Sequence, residues 1–137
     1  MVQTAARRRI AIVDDDVVFV ELMHELLALG EGYEVVSCTN HLSSLEFVTE
    51  AQPDVLILDL MMGREQIGAA VIELLRDDPR TADVPILVCS AAAPTLLRSA
   101  CALRARGAVE TITKPFDIDE MLRLIERLVG MRAAATR

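Results

Sequence analysis

Apolar residues in this chain gather in short unbroken runs, separated by segments in which they recur every third or fourth position. Four runs, IAIV (10–13), YEVVSC (33–38), VLIL (55–58) and ILVC (86–89), are rich in Val and Ile and bounded by turn residues. Such runs predict strands of a parallel sheet covered on both faces, because a strand with one wet face would alternate apolar and polar. A weaker fifth run, VETIT (109–113), predicts one more strand. Between the runs, Phe19, Leu22, Met23, Leu26 and Leu27 fall at helical spacing, as do Ile118, Met121, Leu122, Ile125, Leu128 and Val129, and each set predicts a helix with one apolar stripe. Shorter helical patterns cover 41–51, 68–76 and 94–106, with Asn40 placed to cap the first and Pro94 to open the last.

Strand and helix thus alternate five times. That order predicts an α/β fold with a doubly wound sheet, since a crossover helix is the usual link between parallel strands. A chain of 137 residues with 53% hydrophobic content suits one domain with one core. The expected domain spans residues 8–130, leaving 131–137 as a C-terminal tail or the start of a linker; no repeat or low-complexity segment marks a second unit. A net charge of −7 argues against direct nucleic-acid binding, which rests on Lys and Arg neutralising phosphates, and the Arg7–Arg9 run reads as a solvated edge before the first strand. No apolar stretch approaches the ~18 residues needed to span a bilayer, so no membrane partner is expected. Cys38, Cys89 and Cys101 are odd in number, lack metal-ligand spacing and lie in apolar segments, which suits small buried hydrophobes in a reducing, cytoplasmic setting.

In open α/β sheets, ligands bind outside the carboxyl ends of the strands. The first strand ends in VDDD (13–16), the third in Asp59, the fourth in Ser90 and the fifth in TKPF (113–116). If the first and third strands are neighbours, Asp14 and Asp15 converge with Asp59, and three carboxylates so placed must protonate or share a cation. An all-oxygen cluster without His or Cys suits a hard ion such as Mg²⁺. Thirteen arginines accompany a single lysine, Lys114, at the end of the last strand, and a compact ammonium there can meet a phosphoryl oxygen or a carboxylate. Ser90 adds a hydroxyl that can donate to an anion. Singly, each residue has a plainer role: Asp14 to Asp16 as helix caps, Asp59 as a cap, Ser90 as filler, Lys114 as a surface charge. Their conjunction at four strand ends favours one reaction centre.

The segments IAIVDDD, PDVLILDLMM, PILVCSA and GAVETITKPF resemble the receiver domain of bacterial two-component response regulators, over residues 8 to 130. The resemblance implies a flavodoxin-like (βα)5 three-layer sandwich with a five-stranded parallel sheet of order 2-1-3-4-5. It implies Asp59 as phosphoacceptor, Asp14, Asp15 and Asp59 as Mg²⁺ ligands together with the backbone carbonyl of Met61, Ser90 and Lys114 as binders of the phosphoryl oxygens, and a cis peptide between Lys114 and Pro115. The implied partners are a sensor histidine kinase or a phosphotransfer protein, a downstream protein target, and a second copy in a homodimer through the face of helix 94–106, the fifth strand and the last helix. Such domains catalyse their own phosphorylation and dephosphorylation without being conventional metabolic enzymes.

The sequence departs from the family pattern at several positions. Thr111 stands three residues before Lys114, where the family usually has Tyr or Phe, so the aromatic rotamer switch is missing. GREQIG follows DLMM in place of the usual proline and glycine. Met61 and Ala92, at positions that tune water access in relatives, offer no group to orient an attacking water, which predicts a long-lived phosphoryl state. The competing reading is a receiver-like binding or dimerisation module that acts without phosphorylation, and the retained acids and lysine speak against it. A phosphatase with a strand-end aspartate would need an acid two residues after Asp59, where Met61 stands. His24 and His41 fall on helices away from the strand ends.

Overall fold

The computed structural model describes residues 7–60, 68–91, 104, 107 and 109–135. The elements are β1 (Arg9–Val13), α1 (Val17–His24) running into a π-helical stretch (Glu25–Gly30), β2 (Glu34–Cys38), a 3-10 turn (His41–Ser43), α2 (Ser44–Ala51), β3 (Val55–Leu58), α3 (Gly68–Asp77), β4 (Ile86–Ser90), β5 (Val109–Thr113) and α4 (Ile118–Ala135). All neighbouring strands are parallel and their order is β2-β1-β3-β4-β5. The expected doubly wound α/β sheet is therefore present, and its order reverses between β1 and β3. The expected helix over 94–106 lies outside the described residues apart from Arg104, and α4 continues to Ala135, past the expected boundary at 130.

Period-two alternation splits the strand residues between two cores. Ala11, Val13, Leu56, Leu58, Ile86, Val88 and Val109 face Val48 of α2 and Val71, Ile72 and Leu75 of α3. Their neighbours Ile10, Ile12, Val55, Ile57, Leu87, Cys89 and Ile112 face Phe19, Val20, Met23 and Leu27 of the α1 segment and Met121, Ile125 and Leu128 of α4. Three layers result. β1, β3 and β4 are sandwiched on both faces, which is why their sequences run without a polar break.

Both expected stripes face the core, each with one exposed member. Leu22 is exposed, and Val20 takes its place among the buried residues of α1; Ile118 is likewise exposed while Met121, Ile125 and Leu128 are buried. Asn40 caps as expected, its side-chain oxygen accepting from the Leu42 amide, although what it caps is the 3-10 turn before α2. Arg9 stands inside β1 and pairs with Glu34 at 3.1 Å, so the basic run reaches into the sheet instead of ending before it.

A side-chain brace fixes the edge near β4 and β5. The Arg76 guanidinium at the end of α3 donates to the carbonyls of Ala82 (3.0 Å) and Val84 (2.7 Å) and lies against Gly107. Gly107 has φ +116°, and a Cβ there would meet Arg76 Nε at 3.2 Å. Because Arg76 is tethered to two carbonyls, it yields little room. Gly107→Ala should therefore cost about 1–3 kcal/mol, seen as a lower urea midpoint with an unchanged m-value. Unchanged stability would mean that the turn relaxes freely.

Candidate functional site at the sheet rim

The residues expected at the site sit one step past strand ends, and the sheet's hydrogen-bond ladder extends to hold them. The Asp14 amide donates to the Cys38 carbonyl (3.2 Å), the Asp59 amide to that of Val13 (3.1 Å) and the Lys114 amide to that of Ser90 (2.9 Å). Each functional backbone is thus pinned by a neighbouring strand. β1 and β3 adjoin at the point where the strand order reverses, so their two terminal acids must approach one another. Asp14, Asp15 and Asp59 each present a carboxylate oxygen, and these oxygens lie within 4.8 Å of one another. Asp14 and Asp59 are buried and Asp15 is exposed.

The three consecutive aspartates divide their work. Asp16 is the N-cap of α1, accepting from the amides of Val18 (3.1 Å) and Phe19 (3.2 Å). Asp14 Oδ1 accepts from the Asp16 amide at 2.9 Å, and its Oδ2 accepts from Lys114 Nζ at 2.8 Å. Lys114 Nζ also stands 3.7 Å from Asp59 Oδ2. Burial pulls the Lys114 pKa down, but the hydrogen bond to Asp14 and the charges of Asp14 and Asp59 outweigh it and hold the ammonium above the usual lysine value. The Cys89 thiol beneath is pushed up to about 12, chiefly by burial and further by the two carboxylates, against an opposing pull from Lys114. Cys89 is therefore a protonated core residue at neutral pH and no nucleophile.

Five of the six expected site residues can be located. Asp14, Asp15, Asp59 and Lys114 form one cluster, and Ser90 closes β4 on the same rim, fully buried, with its carbonyl bound to the Lys114 amide. Met61 lies outside the described residues. The Lys114–Pro115 peptide is cis, as expected. His24 lies off the cluster, with Nε2 3.2 Å from Ser37 Oγ. Sequence reading missed Phe19, which reads as one member of a core stripe but carries the Lys114 ammonium 4.0 Å from its ring centroid. Its place four residues after Asp15, in the first turn of α1, was the available signal.

This arrangement can hold a cation: three carboxylate oxygens converge, one of them exposed, with a single ammonium as the counter-charge on the other side. Oxygen-only donors in that number suit a hard divalent ion that retains waters. Among the described residues no helix is long and apolar enough to cross a membrane.

Sheet order and rim chemistry together define a flavodoxin-like α/β domain whose reactive groups are gathered at the strand switch point. Residues 10–126 match the family model of the response regulator receiver domain, and the chain belongs to that family. It is 34% identical over 121 residues to the DNA-binding dual master transcriptional regulator RpaA of Synechocystis, covering 88% of this chain and 48% of that protein. It is 37% identical over 121 residues to the response regulator MprA of Mycobacterium leprae, covering 88% of this chain and 50% of that one. The chain thus spans about half the length of these curated relatives. Among solved structures, a sensor protein from a Polaromonas species superposes with a TM-score of 0.79 at 28% identity, covering 93% of this chain and 99% of that one.

The cluster's electrostatics carry a prediction for stability. Two unit charges at 4.8 Å, the outer bound on these separations, repel by roughly 3 kcal/mol at an effective dielectric near 20. Neutralising Asp59 removes two such repulsions and one attraction to Lys114. In chelator at neutral pH, Asp59→Asn should therefore stabilise the fold by about 1–2 kcal/mol, raising Tm by several degrees in a thermal melt. A lower Tm would show that the cluster is not under like-charge strain.

Proposed function

We propose that the chain is a phosphorylation-activated signalling switch in which Asp59 accepts a phosphoryl group from a sensor histidine kinase, a phosphotransfer protein or a small phosphodonor. The observation that carries this reading is the convergence of three carboxylates on one ammonium at the rim. Phosphoryl transfer asks a protein mainly for positioning and for neutralisation of the equatorial oxygens. Asp14, Asp15 and Asp59 would hold Mg²⁺, with the Met61 carbonyl as a further ligand, and the ion would supply positive charge to the phosphoryl oxygens.

A carboxylate oxygen of Asp59 attacks phosphorus, the Asp59 O–P bond forms, and the donor's N–P or O–P bond breaks with its electron pair leaving on the donor. Lys114 turns from Asp59 to an incoming phosphoryl oxygen, and the Ser90 hydroxyl donates to another. Addition of the dianion changes the pull on Ser90 and Lys114, which belong to β4 and to the residue after β5, so the change reaches the β5 and α4 face where a downstream target or a second copy would bind. A cytoplasmic setting fits a phosphoryl donor made from ATP. The binding module without phosphorylation is not favoured, since such a module has no use for a strained acid cluster kept beside the one lysine.

The test is intact mass after incubation with acetyl phosphate and Mg²⁺. The wild-type chain should gain one phosphoryl group and Asp59→Asn none, while Ser90→Ala and Lys114→Ala should still label but lose the response of the β5 and α4 face, read by amide shifts. A wild-type chain that stays unmodified, or labelling that survives Asp59→Asn, would sink the reading. Because Met61 and Ala92 carry no group to orient an attacking water, the label should persist after donor removal in Mg²⁺ buffer without added phosphatase; rapid loss would count against those two residues as the cause.

A further inference from the structure

The chain uses few aromatic residues, only 3% of the total with three phenylalanines, yet two of the three meet at the site's lysine. Lys114 Nζ lies 4.0 Å from the centroid of the Phe19 ring, and Phe116 packs edge-on against that ring, with centroids 6.1 Å apart and planes at 89°. Phe116 follows Lys114 by two residues, so the ring that carries the ammonium is itself buttressed from the chain just beyond the lysine.

The contact closes a circuit. Asp14 Oδ1 accepts from the Asp16 amide; Asp16 accepts from the Phe19 amide and so fixes the first turn of α1; the Phe19 ring faces Lys114; and Lys114 donates back to Asp14 Oδ2. Phe19 is 7% exposed, which leaves the ring little freedom and little water between it and the ammonium. A partly desolvated cation over an aromatic face is an attractive geometry.

We infer that Phe19 is a positioning residue: its ring holds the Lys114 ammonium at the height where it meets a phosphoryl oxygen on Asp59. This inference rests on the phosphoacceptor reading above. The ring differs from the other partners of Lys114 in kind. Asp14 and Asp59 are carboxylates, and both change their demands once a cation and a phosphoryl group arrive, Asp59 becoming an acyl phosphate. The ring is neutral and does not compete for the cation, so its attraction for the ammonium persists while the N–H groups exchange anionic partners. It therefore keeps the lysine in place across the step during which its anionic contacts are exchanged.

Because Lys114 is the only lysine, its side-chain methylene protons give a unique NMR signal. In the wild-type chain that signal should lie upfield, under the ring current of Phe19; Phe19→Leu should return it toward the ordinary lysine position and Phe19→Tyr should retain it. At saturating acetyl phosphate and Mg²⁺, the phosphorylation rate of Phe19→Leu should fall about three- to ten-fold, within the range of a partly desolvated cation–π contact, with donor KM nearly unchanged and Phe19→Tyr close to wild type. Val20→Ala, a loss of core volume in the same turn, should leave both readouts in place. Where Phe19→Leu fails to fold, ring fluorination at position 19 keeps the shape while draining the aromatic face, and the rate should fall with each fluorine. An unshifted Lys114 signal in the wild type, or a Phe19→Leu or fluorinated chain that labels at the wild-type rate, overturns the positioning role alone. A wild-type chain that does not label at all removes the phosphoacceptor reading and this inference together.

Discussion

The ion pair between Lys114 and Asp14 is the interaction on which the rim depends. Without an ammonium at 2.8 Å, Asp14 would be a buried carboxylate facing two others within 4.8 Å. Breaking a buried pair by removing one partner leaves an uncompensated charge, and that penalty of about 3–5 kcal/mol is a large share of a domain's net stability. Sheet topology forces the encounter: β1 and β3 are neighbours, and the ladder extends through the amides of Asp14 and Asp59. The same geometry that strains the free domain prepares it for a cation. Strain and readiness have one origin.

Asp14 shows how local and long-range structure meet in one side chain. One oxygen serves the turn into α1 through the Asp16 amide, and the other reaches a residue a hundred positions later. Helix start, strand end and remote lysine are therefore set by the same carboxylate. This leaves the neighbouring Asp15 as the exposed member of the three. Three adjacent residues of one type thus carry three different tasks, decided by the direction in which each leaves the backbone.

Much of this was legible in the sequence, and the reasons differ by element. β1, β3 and β4 are covered on both faces, so their apolar runs are unbroken and their ends carry the acids, Ser90 and the edge of the site in plain view. Sheet order came through the resemblance, as did the roles proposed for Asp14, Asp15, Asp59, Ser90 and Lys114, since spacing along a chain does not say which strands adjoin. The stripe of the α1 segment held in Phe19, Met23 and Leu27 and missed at one edge, because Phe19, Val20, Leu22 and Met23 are all apolar and periodicity cannot rank the two borders; tertiary packing chose Val20 over Leu22. Phe19 was read as core, which it is, but a core residue at the mouth of a site has a second face that only coordinates expose. Which of the three aspartates caps α1 likewise depends on φ and ψ, not on composition.

Thr111, where the family usually carries an aromatic, is better understood from its neighbours than by itself. β5 pairs with β4 alone, so its outer edge must be guarded. Glu110 does this with charge, meeting Arg127 of α4 at 3.0 Å and Arg104 at 3.9 Å. Both arginines are more than half exposed, and ion pairs of that kind contribute only about 0–1 kcal/mol each. Beside the buried apolar packing of Ile112 against α4, Glu110 adds weak, salt-sensitive contacts at the surface of this face. Lys114 begins one residue after β5 and is bonded through its amide to Ser90, so a change in their side-chain contacts pulls directly on the strand that carries Glu110. The strand itself therefore links the rim to the Glu110 ion pairs, on a face whose interior is closed by Ile112 with Met121, Ile125 and Leu128 of α4.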